Sequence, residues 1–300
     1  MSILQDIKDT FRQPNNTLKQ LILINVIVFV VLIVVRTLLH LLSSSGVYDV
    51  AMSFIALHSD LGKFITRPWT LITYFFTHQG FLHIIFNMLN LYWFGQLVRE
   101  YLGDKKLLSL YVIGGIAGGV LYMLSYNFIP YFADRAYNSV MIGASASVLA
   151  IVVAAATLLP NYTFNLLLIG PVRIKYIALF LVILSISGAV GDNAGGNIAH
   201  LGGALMGWLF IKQLQRGNDM GRPLHAFFDF VTGLFTRKPK LKVTHRTTTF
   251  AGKTNGKTTT TPGKPSQKEI DLILDKISSS GYESLSKEEK QKLFQASQKE

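Results

Sequence analysis

Four side chains in this 300-residue sequence have the types and spacing for acyl transfer: Ser145, His200, His83 and Asn87. A serine hydroxyl becomes a nucleophile when a base takes its proton, and histidine is the usual base near neutral pH. The tetrahedral intermediate carries an oxyanion. An imidazole N–H, an amide NH₂ and a backbone N–H at a helix start can hold it. His83 and Asn87 are four apart, so a helix puts them on one face. Asp192 is the acidic residue nearest to His200 in sequence and falls in a loop, so a Ser–His dyad is expected rather than a triad. With no Cys, thiolate metal sites, disulfides and cysteine catalysis are excluded.

The elements that must position these groups are membrane spans. Half of the residues are hydrophobic, 15% are charged and mean hydropathy is +0.35. Soluble chains carry about 25% charged residues. The charges are also segregated: residues 1–210 hold 12 Lys/Arg and 8 Asp/Glu, and residues 211–300 hold 17 and 9. This excludes an ordinary soluble enzyme, a disordered chain and a nucleic-acid-binding domain, and indicates a polytopic membrane protein with a basic appendage. Six spans are expected: Leu21 to Leu39, a second from about Gly80 within Pro68–Val98, Leu107 to Asn127, Val140 to Leu159, Tyr176 to Val190 and Asn197 to Ile211. Basic residues cluster before the first span, between the second and third, between the fourth and fifth, and after the sixth. The positive-inside rule then puts both termini in the cytoplasm. Residues 40–79 become a long outer loop, long enough to carry structure of its own. Its Val50–Trp69 stretch suits the outer interface.

Polar residues inside spans are costly and point to function. On this topology His78, His83 and Asn87, then Gly143 to Ser147, then Asn197 and His200, all open their spans from the outer face. They share one layer within roughly 10 Å of the boundary. Gly203 and Gly207 in span six, facing Gly143, Ala146 and Ala150 of span four, would let two helices approach closely enough for Ser145 to meet His200. Span three, with Gly114/Gly118 and Gly115/Gly119, reads as packing only. Ser147 lies about 200° round the helix from Ser145, so both cannot face His200. His78 reads as structural, and Trp69 and Tyr74 as interface anchors.

These residues resemble the rhomboid family of intramembrane serine proteases. The motifs are Pro68-Trp-Thr-Leu-Ile-Thr-Tyr-Phe-Phe-Thr-His78, His83-xxx-Asn87, the GxS at 143–145, and Ala-His200-Leu-Gly-Gly-xxx-Gly207, and the likeness covers about residues 15–215. The resemblance implies an all-α six-helix bundle with a water-filled cavity open to the outside. It implies Ser145 as nucleophile, His200 as general base, and His83, Asn87 and the Ser145 N–H as oxyanion donors. It implies His78 as a structural residue and Trp69 as the start of a Trp-Arg pair in the outer loop. It implies no cofactor, metal or nucleotide, transmembrane protein substrates, and residence in the lipid bilayer of a bacterial inner membrane. Three positions depart from the family pattern. Ala146 stands where Gly is usual, and its methyl is expected to narrow the site. Leu149 replaces a frequent aromatic that would stack on His200. Thr70 follows Trp69 in place of Arg. The rival reading is a catalytically inactive rhomboid-like protein that binds transmembrane helices. A transporter would carry an internal repeat, and none is visible.

The expected organisation is a cytoplasmic N-terminus (1–18), the six-helix domain (19–217), a basic linker with an interfacial helix (218–267) and a short helical module (268–300). The interfacial helix is expected at Leu224–Phe235. The linker's Lys, Thr, Gly and Pro suit a flexible, lipid-facing segment rather than a nucleic-acid site. In the last module Ile270, Ile273, Leu274 and Ile277 share one helical face. Gly281 breaks that helix, and Ser286 with Glu289 forms a capping box for the next.

Overall fold

In a computed structural model, residues 3–13, 15–166, 169–235, 267–280 and 282–297 are described. The chain divides into two compact units, Met1–Lys238 and Pro239–Glu300. The first begins with α1 (Ile3–Arg12) and α2 (Thr17–Leu41). An outer segment follows, made of α3 (Ser45–Ser53), β1 (Leu57–His58), α4 (Leu61–Thr66) and α5 (Thr70–Thr73), closed by a 3₁₀ turn at Tyr74–Phe76. Then come α6 (Phe81–Leu102), α7 (Asp104–Phe128), β2 (Val140–Met141) and α8 (Ser145–Leu158). The hairpin β3 (Thr163–Leu166) and β4 (Gly170–Arg173) leads to α9 (Ile174–Ser187), α10 (Ala194–Gln215) and α11 (Arg222–Phe235).

The molecule is an all-α polytopic membrane protein. α2, α6 and α7 are each long and apolar enough to cross a bilayer, while α8 and α9 are apolar but short. The lipid-facing sides of α2, α6 and α9 expose Val30, Val31, Phe86, Phe180 and Ile183, as expected where the surrounding solvent is hydrocarbon.

The fourth span starts later than its hydropathy suggests. Val140 and Met141 form β2, paired antiparallel with β1 through Leu57↔Met141 and His58↔Val140. Gly143 has φ +124°, which ends any helix before it and which only glycine adopts without strain. The helix therefore begins at Ser145. Its 14 residues span about 21 Å, against the ~30 Å of a bilayer core. Flanked by the 25-residue α7 and the 22-residue α10, it leaves a recess above its first turn.

α8 is the core of the bundle, packed on α6, α7, α9 and α10. Small residues set the spacing. A side chain at Gly203 or Gly207 of α10 would strike the backbone carbonyl of Ala146 or Ala150. On the opposite side, Gly118 and Gly114 of α7 face the Ala146 and Ala150 methyls. With no hydrophobic drive between helices in lipid, such close contact and interhelical hydrogen bonds are the cohesive terms. The pairing of spans four and six through Gly203 and Gly207 is as expected from their spacing, and Gly114/Gly118 of α7 serve packing. At Ala146 the expectation is corrected. The residue is 1% exposed and its methyl fills the space over Gly118, so it does not narrow the cavity.

Tyr74 is also corrected: it is 1% exposed, not an interface anchor. Its hydroxyl donates to the Gly115 carbonyl at 2.5 Å, and its own carbonyl accepts from Gly143 N at 2.9 Å. The Tyr111 hydroxyl donates to the Phe75 carbonyl at 2.8 Å. The outer segment is thus bolted to α7 and in turn holds the chain just before Ser145. In that segment Trp69 Nε1 donates to the Phe54 carbonyl at 2.8 Å. With Thr70 in place of Arg, the loop's guanidinium contacts come from Arg67, and they go to a carbonyl, a hydroxyl and a ring. Arg67 donates to the Ser53 carbonyl and hydroxyl at 2.8 and 2.9 Å and lies 3.9 Å over the Phe54 ring.

In the second unit, α12 (Gln267–Ser280) and α13 (Lys287–Ser297) form a helical pair. The capping box is present: Ser286 Oγ accepts from Glu289 N at 3.2 Å, and Glu289 accepts from Ser286 N at 2.8 Å. Ile273 is buried, whereas Leu274 is half exposed and not part of the packed face. Most of the basic linker, and Gly281, lie outside the described residues.

Candidate active site

Ser145 is the first residue of α8, and the first amide bonded within that helix is Val148 N, to the Ala144 carbonyl at 2.9 Å. The N–H groups of Ser145, Ala146 and Ser147 therefore have no intrahelical partner, as at any helix start. His200 lies in the second turn of α10. Both are partly exposed, and both line a cavity of about 150 Å³ between α6, α8, α9 and α10. Asn87, Asn90, Leu149, Ser185 and Asn197 are among the other residues of its wall. Among the described residues the Ser145 hydroxyl makes no hydrogen bond. Nucleophile–base bonds are commonly loose before substrate binds.

A second cavity, about 310 Å³, opens on the other side of Ser145 and is mostly polar. Gln79, His83, Ser139, Asp192 and Asn193 line it. It is the recess that the short α8 leaves. His83 stands directly against Gly143. A Cβ there would lie 2.7 Å from the His83 ring, so only glycine admits both this φ and this neighbour. The His78 and His83 rings meet edge to face, centroids 5.2 Å apart.

His78 precedes α6 and is 1% exposed. Its Nε2 accepts from Asn87 Nδ2 at 3.2 Å and from Ala144 N at 3.4 Å. An acceptor Nε2 means a neutral ring protonated at Nδ1. One buried imidazole thus orients the Asn87 amide and the backbone leading into Ser145.

The structure brings Ser145, His200, Asn87 and Leu149 to one cavity, whereas His83 lines the second, with Gly143 against its ring. Ala146, Gly203 and Gly207 belong to the helix contacts behind it. Trp69 caps α5 in the outer segment and lines neither cavity. Ser147 points the other way, 0% exposed and beside Gly115. Sequence reasoning passed over Ser185. It is 3% exposed on α9, with its Oγ 3.1 Å from His200 Nδ1. Its polarity inside an apolar run was the available signal, but serine in a membrane helix usually bonds back to that helix.

A family model described as the Rhomboid domain matches residues 66–216. A second model, described as a family of unknown function (DUF6576), matches residues 264–299. RHOMBOID-like protein 12, mitochondrial, of Arabidopsis thaliana is 30% identical over 162 residues, covering 50% of this chain and 48% of its own length. Rhomboid protein 1, mitochondrial, of Saccharomyces cerevisiae is 31% identical over 160 residues, covering 51% and 45%. The YdcA protein of Bacillus subtilis is 27% identical over 165 residues, covering 52% and 74%. The chain spans about half the length of the first two relatives.

Proposed function

The chain belongs to the rhomboid family, and from that premise we propose that it is an intramembrane serine endopeptidase cleaving transmembrane segments of other membrane proteins. The observation that carries the reading is the convergence of Ser145 and His200 on one cavity inside the membrane bundle. Ser145 Oγ attacks the scissile carbonyl carbon while its proton passes to His200. The resulting oxyanion is held by Asn87, His83 and the free N–H groups at the start of α8. His200 returns the proton to the leaving amine as the C–N bond breaks. Water then enters from the polar recess, gives a proton to His200 and attacks the acyl carbon; as the ester C–O bond breaks, His200 returns that proton to Ser145 Oγ and the acid product leaves. We place the protein in a bacterial cytoplasmic membrane; the basic-residue distribution supports the orientation, with both termini inside.

The test is covalent labelling by a fluorophosphonate probe in detergent or liposomes. Ser145→Ala abolishes labelling, and His200→Ala lowers its rate at least about 10³-fold. His83→Ala and Asn87→Ala lower it about 10²–10³-fold. Ser147→Ala leaves it intact. A folded wild type that never labels overturns this reading in favour of an inactive, helix-binding relative.

A further inference from the structure

We infer that Ser185 of α9 is the positioning residue of the base, fixing the His200 proton on Nδ1 and leaving Nε2 free to take the proton from Ser145. This rests on the reading of Ser145 and His200 as the catalytic pair.

The argument is one of hydrogen-bond arithmetic. Ser185 Oγ lies 2.9 Å from the Leu181 carbonyl and 3.1 Å from His200 Nδ1. A hydroxyl has one hydrogen to give, and a carbonyl can only accept. Both contacts are hydrogen bonds only if Ser185 donates to Leu181 and accepts from Nδ1–H. The opposite tautomer, protonated on Nε2, would turn N–H rather than a lone pair toward the serine and could not act as base. Ser185 is 3% exposed, so little water reaches it to replace the contact. No carboxylate serves instead among the described residues. Asp192 lines the outer recess with Ser145 and His83, whereas His200 and Ser185 line the inner cavity. The third group of a serine hydrolase, which holds the imidazole tautomer, is here a neutral hydroxyl.

Its place in the fold matters. Ser145 and His200 sit on helices locked by Gly–Ala contacts. Ser185 rides on α9, whose outer face exposes Leu179, Phe180, Ile183 and Ile186. Displacement of α9 therefore withdraws the Nδ1 partner.

The experiment compares wild type, Ser185→Ala and Ser185→Thr. Inactivation kinetics with the fluorophosphonate are measured alongside ¹⁵N NMR of the histidine tautomers and thermal unfolding. The His200 resonance is assigned by its loss in His200→Gln. The wild type shows His200 protonated on Nδ1. Ser185→Ala populates the Nε2–H form and lowers the maximal inactivation rate roughly 10-fold, with the probe's half-saturation concentration unchanged. Ser185→Thr keeps the hydroxyl and restores both readouts. A merely structural role would lower stability without moving the tautomer. If wild type labels while Ser185→Ala reacts at the same rate with the same tautomer, the Ser185 assignment falls and the dyad stands. If a folded wild type does not label, both fall. Should Ser185→Ala fail to fold, an Nε2–H tautomer in the wild type is sufficient to overturn the inference.

Discussion

At the scale of single residues, the site is decided by which way each side chain turns from its helix. Ser145 and Ser147 are two apart on α8, yet one faces the cavity and the other is sealed beside Gly115. Ala146, between them, faces neither. Its methyl occupies the space that Gly118 of α7 leaves. A residue directly after Ser145 that differs from the glycine expected there is thus accommodated by a glycine on another helix. Ala146→Gly is expected to leave fluorophosphonate labelling unchanged. It should lower stability by about 1 kcal/mol, from added backbone freedom in a helix together with lost methyl packing. Labelling kinetics and thermal unfolding measured on the same preparation check this. Faster labelling without loss of stability would mean the methyl obstructs the cavity.

At the scale of elements, α8 is short and buried, and its neighbours determine where its first turn sits. Gly203 and Gly207 bring α10 against the Ala146 and Ala150 carbonyls. Gly207 is seven residues beyond His200, roughly 10 Å along the helix, and lines neither cavity. Gly207→Leu is expected to force the helices apart, destabilise the protein by about 1–3 kcal/mol and slow labelling through a displaced His200. Leu205→Val, on the exposed side of α10, should do neither. Differential scanning in detergent with parallel labelling distinguishes the two, and a Gly207→Leu protein of wild-type stability would refute the packing argument. The outer segment matters for the same reason. Tyr74 and Phe75 are anchored on α7, and Tyr74 holds Gly143, so the approach to Ser145 is set from across the bundle.

At the scale of the first unit as a whole, the end opposite the site is closed by polar contacts rather than by glycines. Asp219 pairs with Lys106 at the start of α7 and accepts from Gly221 N at 2.9 Å. Burial pushes the Asp219 carboxyl up, but the hydrogen bond from Lys106, that from Gly221 and the Lys106 charge outweigh it and hold it below the usual range. His225 of α11 meets the Ser109 hydroxyl of α7 at 3.0 Å. Burial, with the Lys106 charge acting in the same sense, lowers the His225 imidazole below its ordinary 6.5. A histidine whose folded value is depressed contributes fully above about 6.5, and the contribution is lost as pH falls through the lowered value. Asp219, also depressed, fails only in stronger acid. Docking of α11 on α7 is therefore expected to hold at pH 8 and loosen toward pH 5. The chain has no Cys and Gly233 has open space around it. A spin label at Gly233→Cys should then change from restricted to mobile over that range, and the change should vanish in His225→Asn. An unchanged spectrum would deny His225 a role in docking.

The membrane character, the polar residues Ser145, His200, His83 and Asn87, the glycine pairs and the Ser286–Glu289 cap can all be read from the amino-acid sequence. Each is legible because its cause is local. Hydropathy is a property of a run, and helical periodicity fixes which residues share a face. The tertiary structure places the start of α8 at Ser145, because that start depends on a strand pairing with β1 more than 80 residues earlier in the chain. It alone decided that Ala146 turns to Gly118, that Tyr74 is buried and that Ser185 meets His200. Those outcomes depend on the rotational phase of one helix against another. That phase is set by close-packed contacts between distant segments, which no window of sequence contains.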